Sequence, residues 1–138
     1  MADQADQADQ VDDDEILYRR VPLTQYDHGE SRPSAEAFLP HRERDVDGLS
    51  FWRARLRTAE EVAVALTTGK HGNVAAIRAQ VLRVDLGLTI RVDEDNPAHV
   101  LVPELNNRKD NRTREVAQRL ADELTDIVLE QPPEQADG

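Results

Sequence analysis

The chain has 138 residues, a net charge of −11 and no cysteine. This length suits one domain with a modest core, and the lack of cysteine excludes disulfides, cysteine-ligated zinc and thiol nucleophiles. No apolar run approaches the roughly 18 residues of a membrane span, and the acidic N-terminus lacks the basic and apolar regions of a signal peptide. We therefore expect a cytoplasmic protein that contacts no membrane.

The negative charge is concentrated at the two ends of the chain. Residues 1–15 hold seven acids and no base, and residues 130–138 hold three acids and no base. The remaining 18 acids and all 17 bases lie in residues 16–129, so the net charge of that segment is −1. A nucleic-acid mimic or a polyanion binder would carry its charge bias on the folded surface. We therefore expect no nucleic-acid partner.

Both ends also have the composition of disordered tails. Residues 2–10 are three copies of Ala-Asp-Gln, which cannot bury enough apolar surface to offset the entropy of ordering. We predict a disordered acidic tail over 1–15, a single folded domain over 16–129 and a second disordered tail over 130–138.

Two strand segments and a long loop occupy the first part of the domain. "ILYRRVP", residues 16–22, predicts a strand that ends at its proline. Residues 24–48 are rich in Pro, Gly, Asp, His and Ser, and we expect a loop that is either functional or partly disordered. "LSFWRARL", residues 49–56, predicts a second strand in which Ser50 and Trp52 share one face.

The middle of the chain contains one clear helix start and one ambiguous segment. Thr58-Ala59-Glu60-Glu61 has the form of a capping box and predicts a helix that runs to about Leu66. Residues 74–86 allow either one helix or a strand followed by a helical turn, with a further strand over 88–92. The β-branched residues favour the version with the strand.

The last part of the domain predicts a strand and a helix. "HVLVPEL" follows an Asp-Asn-Pro turn as a strand, on which His99 and Leu101 share a face opposite to Val100 and Val102. Thr113 opens a helix with an apolar stripe at helical spacing. The stripe comprises Val116, Leu120, Leu124, Ile127 and Val128. We predict an α+β fold: a small sheet of four or five short strands, with one short helix and a long C-terminal helix packed on it.

Five residues are candidates for a functional site. His99 and Ser50 are the candidate catalytic residues, because imidazole titrates near neutrality and a serine can act beside it. Arg20, Arg53 and Tyr18 are candidate ligand-binding residues, since a guanidinium binds phosphate or carboxylate well. Structural roles are the alternative: a salt-bridged arginine and a hydrogen-bonded histidine at the start of a strand. The four histidines lack metal-ligand spacing, so we expect neither a metal nor a cofactor.

Several motifs in order resemble a family of small bacterial proteins of unknown activity. The motifs are "LYRR", "RPSAEAF", "LSFWRA" and "DNPAHVLV", and the resemblance covers about 16–103. The matching residues are Tyr18, Arg19, Arg20, Ser34, Phe38, Ser50, Arg53, Pro97 and His99.

A strand with Leu-Tyr-Arg followed by a strand with a serine is also similar to the opening of ADP-ribosyltransferase-like and RES-type folds. In those folds an arginine holds the phosphate of NAD, and a serine lies nearby. The resemblance implies a nucleotide- or NAD-binding role for Arg20, Ser50 and His99. Those folds also need a late glutamate or a second histidine on a strand; Glu104 could stand there, but it follows a proline.

Our leading hypothesis for function is a non-enzymatic module for protein interaction, with another protein as its partner. No catalytic constellation is complete, since Gly-x-Ser-x-Gly, a P-loop and Gly-x-Gly-x-x-Gly are all missing. The alternative is the nucleotide- or NAD-binding domain, which requires Arg20, Ser50 and His99 to converge on a common ligand.

Overall fold

The computed structural model describes residues 11–41, 45, 47–65 and 68–131. Its strands are β1 (Ile16–Val21), β2 (Tyr26–Asp27), β3 (Arg32–Pro33), β4 (Leu49–Arg53), β5 (Asn73–Arg78), β6 (Arg91–Asp93), β7 (Asn96–Val102) and β8 (Asp126–Leu129). Six of them form one antiparallel sheet in the order β6-β7-β4-β1-β5-β8, and β2 pairs with β3 separately. The predicted sheet of four or five strands is therefore wrong, because the C-terminal residues add an edge strand.

The helices are short. They are α1 (Ala59–Ala63) and α2 (Asn111–Arg119), with 3-10 turns at Leu23–Gln25 and Ala35–Phe38 and π-helical turns at Val81–Asp85 and Leu120–Leu124. The capping box that starts α1 is confirmed, since the Thr58 hydroxyl accepts from the Glu61 amide and the Glu61 carboxylate accepts from the Thr58 amide. The helix ends at Ala63, three residues before the predicted end.

The predicted long C-terminal helix is wrong. Helix α2 and the π-helical turn that follows it end at Leu124, and β8 takes the next residues. The Thr125 hydroxyl donates to the Leu120 carbonyl over 2.7 Å, which satisfies one of the carbonyls that a helix end leaves open. Ile127 and Val128 are β-branched and suit a strand, and β8 gains a hydrogen-bonded partner in β5.

The ambiguous segment in the middle follows the strand version. Residues 73–78 form β5, and a π-helical turn follows at Val81–Asp85. The next strand is shorter than predicted and comprises only Arg91–Asp93, which pairs with β7 across a turn at 94–95. Proline 97 lies inside β7 rather than in that turn.

Apolar residues cover both faces of the sheet. The larger cluster contains Leu17, Phe51 and Val100 from the sheet together with Phe38 and Leu120. A smaller cluster of Val62, Ala63 and Val74 joins α1 to the opposite face, where Tyr18 and Trp52 pack against it. The predicted alternation along β4 is confirmed, because Leu49, Phe51 and Arg53 are buried while Ser50 and Trp52 are half-buried.

The segment before β1 packs against the domain. Val11 is buried, and the Glu15 and Asp13 carbonyls accept from the amides of Ala79 and Gln80. The remaining parts of the two predicted tails, residues 1–10 and 132–138, lie outside the described residues, as do residues 42–44 and 46 of the long loop. Within the described parts of the chain, each helix is too short or too polar to cross a membrane.

Candidate functional site

The site lies where two neighbouring strands of the sheet separate. Strand β1 pairs with β5 from Ile16 to Val21. Strand β1 pairs with β4 only at Leu17↔Arg53 and Tyr18↔Trp52; both strands are fully described, and their remaining residues are not paired with each other. The strands therefore open toward Val21 and the start of β4.

The side chain of Arg19 occupies the opening. Its Nε donates to the Ala37 carbonyl over 2.6 Å, and its Nη1 donates to the Ser50 carbonyl over 2.8 Å. Its Nη2 lies 3.5 Å from Oδ2 of the buried Asp45. The Ser50 carbonyl has no backbone partner on β1, and the Arg19 side chain supplies the hydrogen bond that a backbone carbonyl away from water needs.

A cavity of about 690 Å³ lies at this opening. That volume lies within the range of about 300–1,000 Å³ typical of small-molecule pockets. Arg20, Ser50 and His99 all line it, together with Trp52 and Arg57. The three residues that the sequence singled out for a ligand are therefore brought to one cavity.

Strand register explains this convergence. Trp52 lies opposite Tyr18 on β1 and opposite His99 on β7. Residues that face each other across antiparallel strands share a face of the sheet, and so do residues two apart on one strand. Ser50 and Arg20 therefore belong to the same face as Trp52 and His99. The sequence predicted the face of His99 on its own strand, but the strand order was needed to link it to Ser50.

His99 forms a pair with Asp93, which lies across the β6–β7 hairpin. Its Nδ1 is 3.0 Å from Asp93 Oδ2, and its ring centroid is 4.7 Å from that of Trp52. Two hydrogen bonds hold the pKa of Asp93 below its usual value: the larger effect comes from His99 and the smaller from the Asp95 amide. An ionised carboxylate can only accept, so Nδ1 carries the proton. In the neutral ring Nε2 is then an acceptor.

Arg57 covers the Trp52 ring from the start of α1. Its guanidinium carbon lies 4.5 Å from the ring centroid, a cation–π distance. Its Nε lies 3.9 Å from a Glu61 carboxylate oxygen, one helical turn along the chain. The hydrogen bonds from Thr58 lower the pKa of Glu61. The capping box therefore keeps an anion beside Arg57 and fixes the helix start over the indole.

Arg20 is held in the cavity wall by backbone. Its Nε donates to the Ala63 carbonyl over 2.9 Å and its Nη2 donates to the Lys70 carbonyl over 3.0 Å. Gly72 packs against it: a Cβ at that position would lie 3.2 Å from Arg20 Nε and 2.7 Å from the Val21 carbonyl oxygen. The bare glycine backbone therefore leaves the room that the guanidinium occupies.

Two of the predicted ligand-binding residues lie elsewhere. Tyr18 packs with the apolar cluster under α1. Arg53 is 1% exposed and forms a two-pronged ion pair with Glu15 on the opposite face of the sheet. Neither residue lines the cavity.

Three residues at the cavity were not predicted from the sequence: Asp93, Arg57 and Asp45. The register of a hairpin over 91–102 would have placed Asp93 near His99, but the predicted turn at 95–97 lay later than the observed turn at 94–95. Arg57 directly precedes the capping box, so its position at a helix start was readable. Asp45 lies 26 residues from Arg19 in the sequence, and no local pattern connects the two.

The arrangement limits the chemistry that the site can perform. Among the described residues the Ser50 hydroxyl makes no hydrogen bond to His99, so the two do not form a nucleophile–base pair in this geometry. No three His, Cys, Asp or Glu side chains in the described segments gather as they would around a metal ion. Comparison with known proteins found no matching family model, no matching curated protein and no matching solved structure, so the family resemblance of residues 16–103 stays a prediction.

Proposed function

We propose that the cavity between β1 and β4 binds a small anionic ligand with a planar ring, of the nucleotide class. The observation that carries the proposal is that Arg20, Ser50 and His99 line one cavity of suitable volume.

The contacts of the lining residues support this class of ligand. Arg20 is oriented by two backbone carbonyls, so a phosphate that it binds meets a guanidinium already in place. Arg57 and Trp52 form a stacked pair at the cavity wall, and stacking on an indole or a guanidinium suits a nucleobase. His99 lies against the same indole ring, and its Nε2 is the ring nitrogen that does not pair with Asp93.

A role in protein interaction stays a prediction, as does a cytoplasmic location. Ligand binding is the better supported hypothesis, because the cavity is a specific feature of the described residues. A protein that binds a nucleotide can also act as an accessory module, so the two roles are compatible.

Thermal-shift measurements with NAD, ADP-ribose and ADP test the proposal. A ligand present at ten times its Kd stabilises the folded state by about 1.4 kcal/mol, which raises the Tm by roughly 5 °C for a domain of this size. No shift with any of the three at millimolar concentration would refute the proposal.

A matched pair of variants locates the ligand. Arg57→Ala removes a cation from the cavity wall, and we expect it to weaken binding about tenfold by calorimetry. Arg55→Ala removes an exposed arginine two residues away that does not line the cavity, and we expect no change. Equal losses from the two variants would show that binding reflects overall charge rather than this cavity.

A further inference from the structure

One wall of the cavity contains a carboxylate with an unused acceptor. Asp45 is 3% exposed, and its Oδ2 accepts from the His41 amide over 2.6 Å and lies 3.5 Å from Arg19 Nη2. Its Oδ1 is buried and has no hydrogen-bond partner among the described residues. Buried carboxylate oxygens are almost always hydrogen-bonded, because leaving one without a donor is unfavourable.

The position of Asp45 points to a ligand as the missing donor. Asp45 lines the main cavity, and with His41 and Arg108 it also lines a smaller adjoining cavity of about 440 Å³. The unused oxygen therefore belongs to a side chain that lines both cavities. Oδ1 itself has almost no accessible surface, so a ligand donor reaches it once the carboxylate turns toward either cavity.

The charges around Asp45 decide which donor fits. Arg19 is ion-paired with it, and Arg108 lines both cavities and pairs with Glu36. A ligand ammonium group would meet these two guanidinium groups, which repel it. A hydroxyl group donates to the carboxylate without adding a positive charge. An acidic side chain that accepts from a ribose hydroxyl is a recurrent device in dinucleotide-binding sites.

We infer that Asp45 Oδ1 accepts a hydrogen bond from a sugar hydroxyl, so that the cavity selects ribonucleotides over nucleotides that lack the sugar hydroxyls. The inference rests on the proposed function, since it names the part of the nucleotide that Asp45 recognises. Asp45 is then a specificity-determining residue of the binding site.

Calorimetry of the full chain with ADP and with 2′,3′-dideoxyadenosine 5′-diphosphate tests the inference without any variant. We expect ADP to bind at least about tenfold more tightly, because a site that hydrogen-bonds a ligand hydroxyl discriminates strongly against the analogue without it. Equal affinities would overturn the inference and leave the proposed function standing, with water as the partner of Asp45. Binding of neither nucleotide would overturn both.

The variant Asp45→Asn assigns the discrimination to its source. We expect the ratio of the two affinities to fall toward one, because the amide is neutral and a weaker acceptor. The far-ultraviolet circular dichroism of the variant shows whether it folds, and the comparison of the two ligands on the wild-type chain stays decisive if it does not. An unchanged ratio in a folded variant would show that another residue reads the hydroxyls.

Discussion

Replacement of Arg53 by methionine tests how the buried ion pair supports the sheet. Arg53 is 1% exposed and its partner Glu15 is 8% exposed. Arg53 Nε and Nη2 donate to the two Glu15 carboxylate oxygens over 2.6 and 3.1 Å, and Nη1 donates to the Pro97 carbonyl over 3.2 Å. The variant removes these three hydrogen bonds and keeps most of the apolar volume of the side chain.

The expected loss is large because a charge stays behind. Removing one partner of a buried ion pair costs about 3–5 kcal/mol, since the other charge is left without compensation. For a domain of this size a loss of 1 kcal/mol lowers the Tm by roughly 4 °C. We therefore expect Arg53→Met to lower the Tm by about 12–20 °C.

Urea unfolding followed by circular dichroism measures the loss, and the midpoint should fall while the slope is unchanged. The double variant Glu15→Leu with Arg53→Met should recover most of the stability, because an apolar pair replaces a buried ion pair at little or no cost. Arg78→Met changes an exposed arginine on β5 and should stay within about 0.5 kcal/mol of the wild type. A loss below about 1 kcal/mol for Arg53→Met would refute the reasoning.

Three further predictions follow from contacts and pKa shifts in the described residues. Gly48→Ala should cost at least about 2 kcal/mol in urea unfolding, because Gly48 has a φ of +133° and a Cβ would lie 2.4 Å from the Val102 carbonyl oxygen; an unchanged midpoint would contradict this. The hydrogen bond from His99 lowers the pKa of Asp93. The stabilisation that this pair gives the fold is therefore present above the usual carboxyl pKa of 3.8 and is lost as the pH falls through the lowered value. The acid-unfolding curve of Asp93→Asn should lack this component, and identical curves for the variant and the wild type would argue against it. Burial is the main cause, and a hydrogen bond to the Glu130 carboxylate the second, that raises the pKa of Tyr26 to about 12. The stabilisation from the protonated phenol therefore holds below pH 10 and is lost as the pH rises through about 12. Tyrosinate absorbance should show a step near that pH, and Tyr26→Phe should remove it.

Local patterns predicted most of the individual strands and the helix start. Alternation placed Ser50 and Trp52 on one face, and the spacing of Thr58 and Glu61 identified the capping box. These features depend on neighbours within four residues. The sequence therefore contained the signal for each of them.

The C-terminal helix shows where such patterns fail. Ile127 and Val128 continue the stripe of Leu120 and Leu124 at helical spacing, and the same residues also suit a strand. The open edge of β5 decides between them, and the sequence alone does not show that this edge is available.

The candidate site was only partly predictable for the same reason. Arg20, Ser50 and His99 could be chosen by residue type, but their convergence depends on β4 lying between β1 and β7. The pairing of Arg53 with Glu15 spans 38 residues, and no periodicity reports a contact at that separation. Arg53 was therefore assigned to a ligand when its charge is already matched within the fold.

The opening between β1 and β4 has a consequence for how a ligand would bind. Each strand is paired on its far side, β1 with β5 and β4 with β7, so the two walls are backed by hydrogen-bonded backbone. Arg19 spans the gap between them. The positions of these two walls are thus set by the sheet during folding, while loop residues such as His41 and Asp45 complete the lining. The residues on the two strands therefore lose little further conformational entropy when a ligand binds, and their contribution to affinity depends on the contacts they make.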